Sequence, residues 1–253
     1  MTVRVEDDGP VRVVVLDRPE ARGAVDGPHA AALLAAFEEL EERDDLHVGV
    51  LTGADGHFCA GADLKAVAAG EIPVVPYGDG PGPMGPTRLQ LTKPVVAGIE
   101  GHAVAGGLEL ALWCDLRLVA QSAVLGVFSR RWGVPLIDGG TVRLARLVGE
   151  SVALDLVLTG RAVGAEEALR LGLANRVVPD GQAHQAALAL AHELAVFPQT
   201  CLRQDRASVL EQGGLPVAEA MANEWRLGQV ALEEAMEGAN RFVGGQGRHG
   251  AAT

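Results

Sequence analysis

Two glycine-flanked segments carry the residue types that could do chemistry. The first, "GHFCAGADLK" at residues 56–65, has small residues at 59–62, so a ligand could approach its backbone closely. The second, "GHAVAGGLEL" at residues 101–110, has glycines where a helix begins, so unpaired N–H groups and the positive end of the helix dipole point outward. Either could donate N–H groups to a developing oxyanion. Taken singly, the first also fits a tight turn and the second an ordinary helix start.

Two carboxylates are candidates for proton transfer. Glu109 stands three residues after Gly106, in the first turn of the predicted helix, and could act as a general base or merely complement the helix N-terminus. Asp138 precedes "GGTVRLARLVG" and could supply a second acid/base group, cap that helix, or do both. Nothing in the chain resembles a metal cluster or a Ser-His-Asp order, so neither a bound metal nor a resident cofactor is expected.

The elements that must position these residues alternate between strand and helix. "VRVE", the turn "DDGP" and "VRVVVLD" predict a hairpin, and "PHAAALLAAFEELEERDD" predicts an amphipathic helix. "VGVLTG", "PVVAGIEG" and "LRLVA" predict buried strands, with a helix over "GGLELALWCD" between the last two. This alternation indicates an α/β architecture.

The rest of the chain reads differently. From about residue 139 the helix signal is nearly continuous. Residues 68–90 are dense in glycine and proline, which predicts an irregular segment, either a mobile flap over a site or a plain surface insertion. The tail "GGQGRHGAAT" is expected to be disordered.

Composition excludes several classes of function. A formal net charge of −12 over 253 residues argues against a general binder of nucleic acid or of anionic membranes, so any anionic ligand must be held locally. Three widely spaced cysteines suggest neither a disulfide framework nor a metal site. The N-terminus lacks the apolar region of a secretory signal, and no segment is apolar for the roughly 18 residues of a membrane span. A cytoplasmic protein is expected.

In order and spacing, the two segments resemble the crotonase family, also called the enoyl-CoA hydratase/isomerase family. The resemblance continues through "LDRPEARGAV", "KPVVAGIEG", "CDLRLVA", "GGTVRLARLVG" and "LTGRAVGAEEALRLGLANRVVP", and covers roughly residues 3–180. It implies a crotonase-like ββα superhelix, or spiral, with a C-terminal helical region that mediates trimerisation. The expected division is an acyl-CoA-binding core at 1–195 and a helical region with a flexible tail at 196–253.

The resemblance also implies roles for single residues. The backbone N–H groups of Ala62 and Gly106 would form the oxyanion hole for a thioester enolate, and Glu109 would be the base. Coenzyme A, present only as part of the substrate, would be held along the first segment. The implied binding residues are Arg22, Ala60, Ala62, Asp63, Leu64, Lys65 and Gly106, with Arg22 and Lys65 toward the phosphates.

One departure from the family pattern limits the functional prediction. Hydratases of the family carry a second glutamate, and aligning "AVLGVFSRRWG" places Ser129 at that position. Serine cannot replace a carboxylic acid in proton transfer without an activating base, although it can still hydrogen-bond a water or hydroxyl. The loss of one acid/base group would cost on the order of 10²–10⁴-fold in rate. Asp138 could substitute for the missing group.

The sequence therefore predicts an acyl-CoA enzyme of the enoyl-CoA hydratase or isomerase type, a lyase or an isomerase, assembled as a homotrimer or a dimer of trimers. Two alternatives stay open. One is a catalytically silent acyl-CoA-binding protein, and the other is an acyl-CoA hydrolase or decarboxylase on the same fold. The paired arginines Arg130 and Arg131 fit either a salt-bridged face at a subunit contact or a site for an anionic group.

Overall fold

The computed structural model describes residues 3–244, and within them two β-sheets and the helices around them build the molecule. The strands are β1 (Val3–Asp8), β2 (Val11–Leu16), β3 (Val48–Gly53), β4 (Val95–Ile99), β5 (His102–Val104), β6 (Leu116–Ala120), β7 (Val124–Gly126), β8 (Ala162–Gly164) and β9 (Arg176–Val178). The α-helices are α1 (Gly27–Glu42), α2 (Leu64–Ala69), α3 (Gly106–Trp113), α4 (Gly140–Val148), α5 (Glu150–Thr159), α6 (Ala165–Arg170), α7 (Ala183–Ala195), α8 (Gln199–Glu211) and α9 (Val217–Val243).

The larger sheet has the strand order β1-β2-β3-β4-β6-β9, in which only the β1–β2 hairpin is antiparallel. Its central strands are buried on both faces, which is why their sequences are continuous apolar runs. Alternate residues of β2 show the two faces. Val11, Val13 and Val15 pack toward α7, whereas Val14 and Leu16 face the main core that includes α1.

The smaller sheet has the order β5-β7-β8, with β5 and β7 parallel and in register from His102 to Val104. Because the two strands are parallel, the loops that follow them leave at the same edge. The loop after β5 leads into α3, and the loop after β7 leads into a 3₁₀ turn at Phe128–Trp132. This edge therefore brings together the parts of the chain that carry Glu109 and Ser129.

Most of the predicted elements are confirmed. The hairpin, the helix α1, the buried strands β3, β4 and β6 and the helix α3 lie where the patterns indicate. The predicted helical C-terminal part is confirmed, although the short strands β8 and β9 interrupt the helices and each pairs with a strand formed earlier in the chain. These strands have three residues each, which is too few for an alternation of apolar and polar residues to be recognised in the sequence. The predicted disordered tail lies, apart from Gly244, outside the described residues.

The C-terminal helices α8 and α9 pack against each other. Arg206 of α8 joins them to the core, because its Nε donates to Asp115 Oδ1 at 2.9 Å and its Nη1 to the Leu91 carbonyl at 2.6 Å. The outer side of α9 leaves large apolar side chains exposed, among them Met221, Trp225 and Met236.

Candidate active site

The two glycine-flanked segments lie side by side and run in the same direction. Cys59 and Ala103 form a parallel bridge, with the Cys59 N–H donating to the His102 carbonyl at 2.8 Å and the Val104 N–H to the Cys59 carbonyl at 3.1 Å. Equal steps from this bridge lead to Ala62 on one segment and to Gly106 on the other. The register of the two segments thus brings the two predicted oxyanion donors together.

Close backbone contact at this point requires glycine. A Cβ on Gly61 would lie 3.0 Å from the Gly106 nitrogen, and a Cβ on Gly107 would overlap the Cys59 carbonyl. Between the strand and the helix, Ala105 takes a φ of +55°, which is strained for a residue with a side chain. Its N–H donates to the Gly126 carbonyl at 2.9 Å, so the strained turn is tied to β7.

Neither predicted oxyanion donor is used by the protein itself. The N–H of Ala62 and the N–H of Gly106 donate to no acceptor among the described residues. Gly106 begins α3, where the orphan N–H groups of a helix and its dipole favour negative charge. The pair has the chemical character of an anion-stabilising site.

Glu109 is almost completely buried in the first turn of α3. Its Oε1 accepts hydrogen bonds from the Asp138 N–H at 2.9 Å and from the Gly140 N–H at 2.8 Å. A Cβ on Gly140 would lie 2.8 Å from that oxygen, so the carboxylate packs directly against Gly140 and leaves no room for a side chain there. Glu109 therefore accepts its hydrogen bonds from the chain at the start of α4.

The other oxygen of Glu109 is free. Oε2 accepts no hydrogen bond from any described residue, and it is not sealed from solvent. Burial raises the pKa of Glu109 to about 7, with a further contribution from the neighbouring charge of Asp138, while the two N–H donors oppose the rise. A pKa near neutrality suits a group that takes up and releases a proton.

Asp138 is the second buried carboxylate, with 3% of its surface exposed. Its Oδ1 accepts from the Met84 N–H at 3.1 Å and from the Thr87 hydroxyl, while Oδ2 has no donor among the described residues and is not sealed. Burial raises the pKa of Asp138 above its ordinary value, and these hydrogen bonds oppose the rise. The interpretation of Asp138 as an N-cap is wrong, because Gly139 occupies that position without a side-chain cap.

The partners of Asp138 come from the glycine- and proline-rich segment. In residues 71–81 most side chains are exposed, as expected of a surface insertion, whereas residues 82–87 are buried. The Met84 side chain covers Gly106, whose Cβ would lie 2.6 Å from the Met84 sulfur. The buried half thus touches Gly106, one of the two predicted oxyanion donors, and the second carboxylate.

Arg143 of α4 holds the backbone of Asp138 and Thr87 in place. Its Nη1 donates to the Asp138 carbonyl at 2.8 Å and its Nη2 to the Thr87 carbonyl at 2.7 Å. Met84, Thr87 and Arg143 were not among the residues predicted from sequence. The only signal for the first two was the unusual glycine and proline content around them, and an arginine on an amphipathic helix carries none.

Ser129 lies at the same sheet edge but does not open into the site. Its side chain is buried, and its hydroxyl is sealed from solvent and has no hydrogen-bond partner among the described residues. It follows β7 at the start of the 3₁₀ turn, where its carbonyl accepts from the Val134 N–H at 3.2 Å. In this conformation its hydroxyl is less accessible than the free oxygens of the two carboxylates.

The residues expected to bind coenzyme A surround the first segment. The Ala60 N–H donates to the Arg22 carbonyl at 3.0 Å, which places the arginine beside the segment. Arg22 and Lys65 are exposed, and neither forms an ion pair with any described residue. Leu64 is 44% exposed.

Asp63 has structural partners. Its Oδ1 caps α2 by accepting from the Lys65 N–H at 2.8 Å, and its Oδ2 lies 2.8 Å from Arg18 Nη2. Its backbone N–H donates to the Val25 carbonyl at 2.8 Å, which holds the segment parallel to the stretch of chain around Val25. Both carboxylate oxygens of Asp63 therefore have partners within the protein, so any contact of this residue with coenzyme A would come from its backbone.

The paired arginines make no ion pair within the described chain. Arg130 Nε donates to the Val157 carbonyl at 3.1 Å, and Arg131 Nη2 donates to the Gly160 carbonyl at 3.3 Å, near the C-terminus of α5. Positive charge at this end of a helix complements its dipole. The guanidinium of Arg131 also stacks over the Phe128 ring, 4.0 Å from its centroid.

Three further observations concern sites that the sequence argued against. Within residues 3–244 no group of three or more His, Cys, Asp and Glu side chains converges as a metal site would require. Cys59, Cys114 and Cys201 are free. No helix in this part of the chain has both the length and the apolar character to span a membrane.

The chain is similar to known proteins over nearly its whole length. Residues 6–245 match the family model described as enoyl-CoA hydratase/isomerase. The chain belongs to the enoyl-CoA hydratase/isomerase family. It is 36% identical over 248 residues to the enoyl-CoA hydratase EchA19 of Mycobacterium tuberculosis, covering 94% of this chain and 92% of that protein. It is 39% identical over 189 residues to the carnitinyl-CoA dehydratase of Salmonella typhi, covering 74% of this chain and 72% of the relative.

Solved structures of the enoyl-CoA hydratase/isomerase family confirm the fold. A crystal structure of an enoyl-CoA hydratase from Mycobacterium tuberculosis H37Rv superposes with a TM-score of 0.89 at 35% identity, covering 96% of this chain and 95% of that one. The chain thus has the crotonase fold, a mixed α/β architecture with a C-terminal helical region. Family and relatives together make it an acyl-CoA enzyme of the hydratase/lyase group.

Proposed function

We propose that this chain adds water reversibly to the double bond of an enoyl-CoA thioester. The observation that carries the proposal is a pair of buried carboxylates beside two unpartnered backbone N–H groups. Each carboxylate has one oxygen fixed by the protein and one oxygen free. The relatives described above, an enoyl-CoA hydratase and a carnitinyl-CoA dehydratase, support the same reaction class.

In the hydration direction, the thioester carbonyl accepts from the N–H groups of Ala62 and Gly106. Ionised Glu109 takes a proton from water as the water oxygen bonds to the β-carbon. The π electrons move toward the carbonyl, where the two N–H donors and the dipole of α3 stabilise the enolate. Protonated Asp138 then delivers a proton to the α-carbon, which completes the 3-hydroxyacyl product.

Asp138 thus takes the place of the second hydratase glutamate, which the sequence lacks at Ser129. Two observations favour Asp138 over the serine. Its N–H donates directly to Glu109, so the two groups are adjacent, and its free oxygen is not sealed. The hydroxyl of Ser129 is sealed and has no base beside it to activate it.

Coenzyme A would lie along residues 60–65. The exposed and unpaired cations Arg22 and Lys65 would meet its phosphates, which explains how a chain of net charge −12 could hold a polyanion. The apolar surface of Leu64 beside them would contact the uncharged parts of the cofactor. Coenzyme A enters and leaves as part of the substrate.

The protein would assemble as a trimer or as a dimer of trimers, in the cytoplasm. The exposed large apolar side chains of α9, which include Met221 and Trp225, support association, because burying them at a contact between subunits would remove apolar surface from water. The helical region formed by α8 and α9 would carry this contact.

The proposal is tested by incubating the purified protein with saturated, 2-enoyl, 3-enoyl, 3-hydroxyacyl and malonyl-type thioesters of coenzyme A in H₂¹⁸O and in D₂O. Hydration predicts ¹⁸O at the β-carbon and one deuterium at the α-carbon of the product. Double-bond migration without ¹⁸O would assign an isomerase. Release of free coenzyme A would indicate a hydrolase, loss of CO₂ from a malonyl-type thioester would indicate a decarboxylase, and binding without turnover would indicate a silent binder.

A further inference from the structure

We infer that Thr87 is a positioning residue that holds the Asp138 carboxylate in the orientation needed for proton transfer. The inference rests on the proposed function and adds to it a residue outside the two glycine-flanked segments. Thr87 lies in the buried half of the glycine- and proline-rich segment, with 1% of its surface exposed.

The hydroxyl of Thr87 determines which oxygen of Asp138 is free. It donates to Oδ1, the same oxygen that accepts from the Met84 N–H, so both donors hold one side of the carboxylate. Oδ2 is left without a donor and is not sealed. With one donor removed, the carboxyl group could rotate about its terminal torsion, which has a broad energy minimum.

The surrounding backbone fixes the position of Thr87 in turn. Arg143 donates to the carbonyls of both Thr87 and Asp138, so a single guanidinium ties the two residues together. Gly82 closes the third side, because a Cβ there would overlap both the Thr87 hydroxyl and Asp138 Oδ1. The Gly85 N–H donates to the Gly82 carbonyl at 2.8 Å, which closes the turn that carries Met84.

This arrangement repeats the one around Glu109. In both cases two donors meet on one carboxylate oxygen, and in both a glycine lies against that oxygen, Gly140 for Glu109 and Gly82 for Asp138. Glu109 is held by two backbone donors, whereas Asp138 is held by one backbone donor and one side chain. The Thr87 hydroxyl is therefore the one donor of the four that a substitution can remove without altering the backbone.

The test compares Thr87→Val, which removes the hydroxyl, with Thr87→Ser, which keeps it. The valine variant is expected to lose about ten- to hundredfold in kcat for enoyl-CoA hydration, the range for a hydrogen bond to a charged group, with little change in KM. The serine variant should keep most of the wild-type kcat. The matched control is Thr92→Val, because the Thr92 hydroxyl also donates to a carboxylate, Glu41 Oε1 at 2.7 Å, but on the exposed surface.

A second readout does not depend on turnover. A hydrogen bond to the charged form lowers the pKa of a carboxyl group, so Thr87→Val should raise the pKa of Asp138, followed by ¹³C NMR of labelled aspartate. The other charged groups around Asp138, which are Glu109, Arg88 and Arg143, are the same in all variants. The control Thr92→Val should leave the titration of Asp138 unchanged.

The outcomes separate the inference from the proposed function. A Thr87→Val protein with wild-type kcat and an unchanged Asp138 titration overturns the role of Thr87. Equal losses in the valine and serine variants overturn it as well, since they would reflect packing and not the hydroxyl. If the wild type hydrates no enoyl-CoA thioester, the proposed function fails, while the NMR titration still decides whether Thr87 holds Asp138.

Discussion

At the scale of single residues, the burial of Glu109 makes the stability of the fold depend on pH. Its carboxyl group has an ordinary pKa of 4.5, which burial raises to about 7 in the folded chain. The folded protein therefore binds this proton more tightly than the unfolded chain does. The stabilisation from that proton is fully present below about pH 4.5 and is lost as the pH rises through about 7.

Replacement of Glu109 by glutamine should remove this pH dependence. The amide oxygen can still accept from the N–H groups of Asp138 and Gly140, but it carries no charge. From pH 5 to pH 8, the free energy of unfolding of the wild type should fall by about 2–3 kcal/mol more than that of Glu109→Gln. Urea unfolding at the two pH values measures this difference. Parallel pH profiles for the two proteins would contradict the raised pKa.

Ser129 offers the opposite case, a buried polar group without a partner. Its hydroxyl is sealed and receives or donates no hydrogen bond among the described residues, which costs free energy. Ser129→Ala should therefore raise the free energy of unfolding by about 1 kcal/mol, measured by denaturant titration. A clear loss of stability would mean that the hydroxyl has a partner in solution, such as an ordered water, and would return Ser129 to the candidates for the chemistry.

At the scale of elements, the turn at residues 82–85 is as much a part of the site as the helices. Gly82→Ala should abolish most activity and cost about 1–3 kcal/mol of stability, because the added methyl group overlaps Thr87 and Asp138. Gly80→Ala is the matched control in the same segment, since its Cβ would meet only the Val75 side chain, at 3.2 Å. Activity assays and thermal unfolding of both variants test the prediction. Equal activity in the two variants would show that the turn does not shape the site.

The elements also show why sequence reasoning succeeded in some places and failed in others. The central strands of the large sheet are buried on both faces and the helix α1 has a periodic apolar face, so local pattern is sufficient to predict them. The strands β5, β7, β8 and β9 have only three residues each, and their pairing depends on distant parts of the chain.

The same distinction holds for the candidate site. Glu109, Ala62 and Gly106 stand in segments whose glycines mark them, and the structure brings these segments together in register. The partners of Asp138 come from 51 and 54 residues away, which no local pattern could reveal. The capping interpretation, one of the alternatives that the sequence left open for Asp138, is wrong for the same reason, because its carboxylate accepts from Met84 and Thr87 and Gly139 occupies the N-cap position.

At the scale of the whole molecule, the exposed apolar side of α9 predicts self-association. Each chain has a mass of 26.2 kDa, so light scattering after gel filtration should give three or six times this mass. Replacement of the exposed Trp225 by glutamate should shift the population toward the single chain, because a charge would then have to be buried at the contact. A wild-type protein that stays at the mass of one chain at micromolar concentration would contradict the assembly.

The fold as a whole serves to bring two carboxylates and two N–H donors from separate parts of the chain to one sheet edge. The most direct test of the proposed roles of Glu109 and Asp138 is the rate at which Glu109→Gln, Asp138→Asn and the double variant hydrate a 2-enoyl-CoA. If the two groups act as a unit, as proposed, each single variant should lose about 10²–10⁴-fold in kcat and the double variant little more than the worse single variant. Hydration by Asp138→Asn at the wild-type rate, or rapid hydration by Glu109→Gln, would contradict the proposed roles of the two carboxylates.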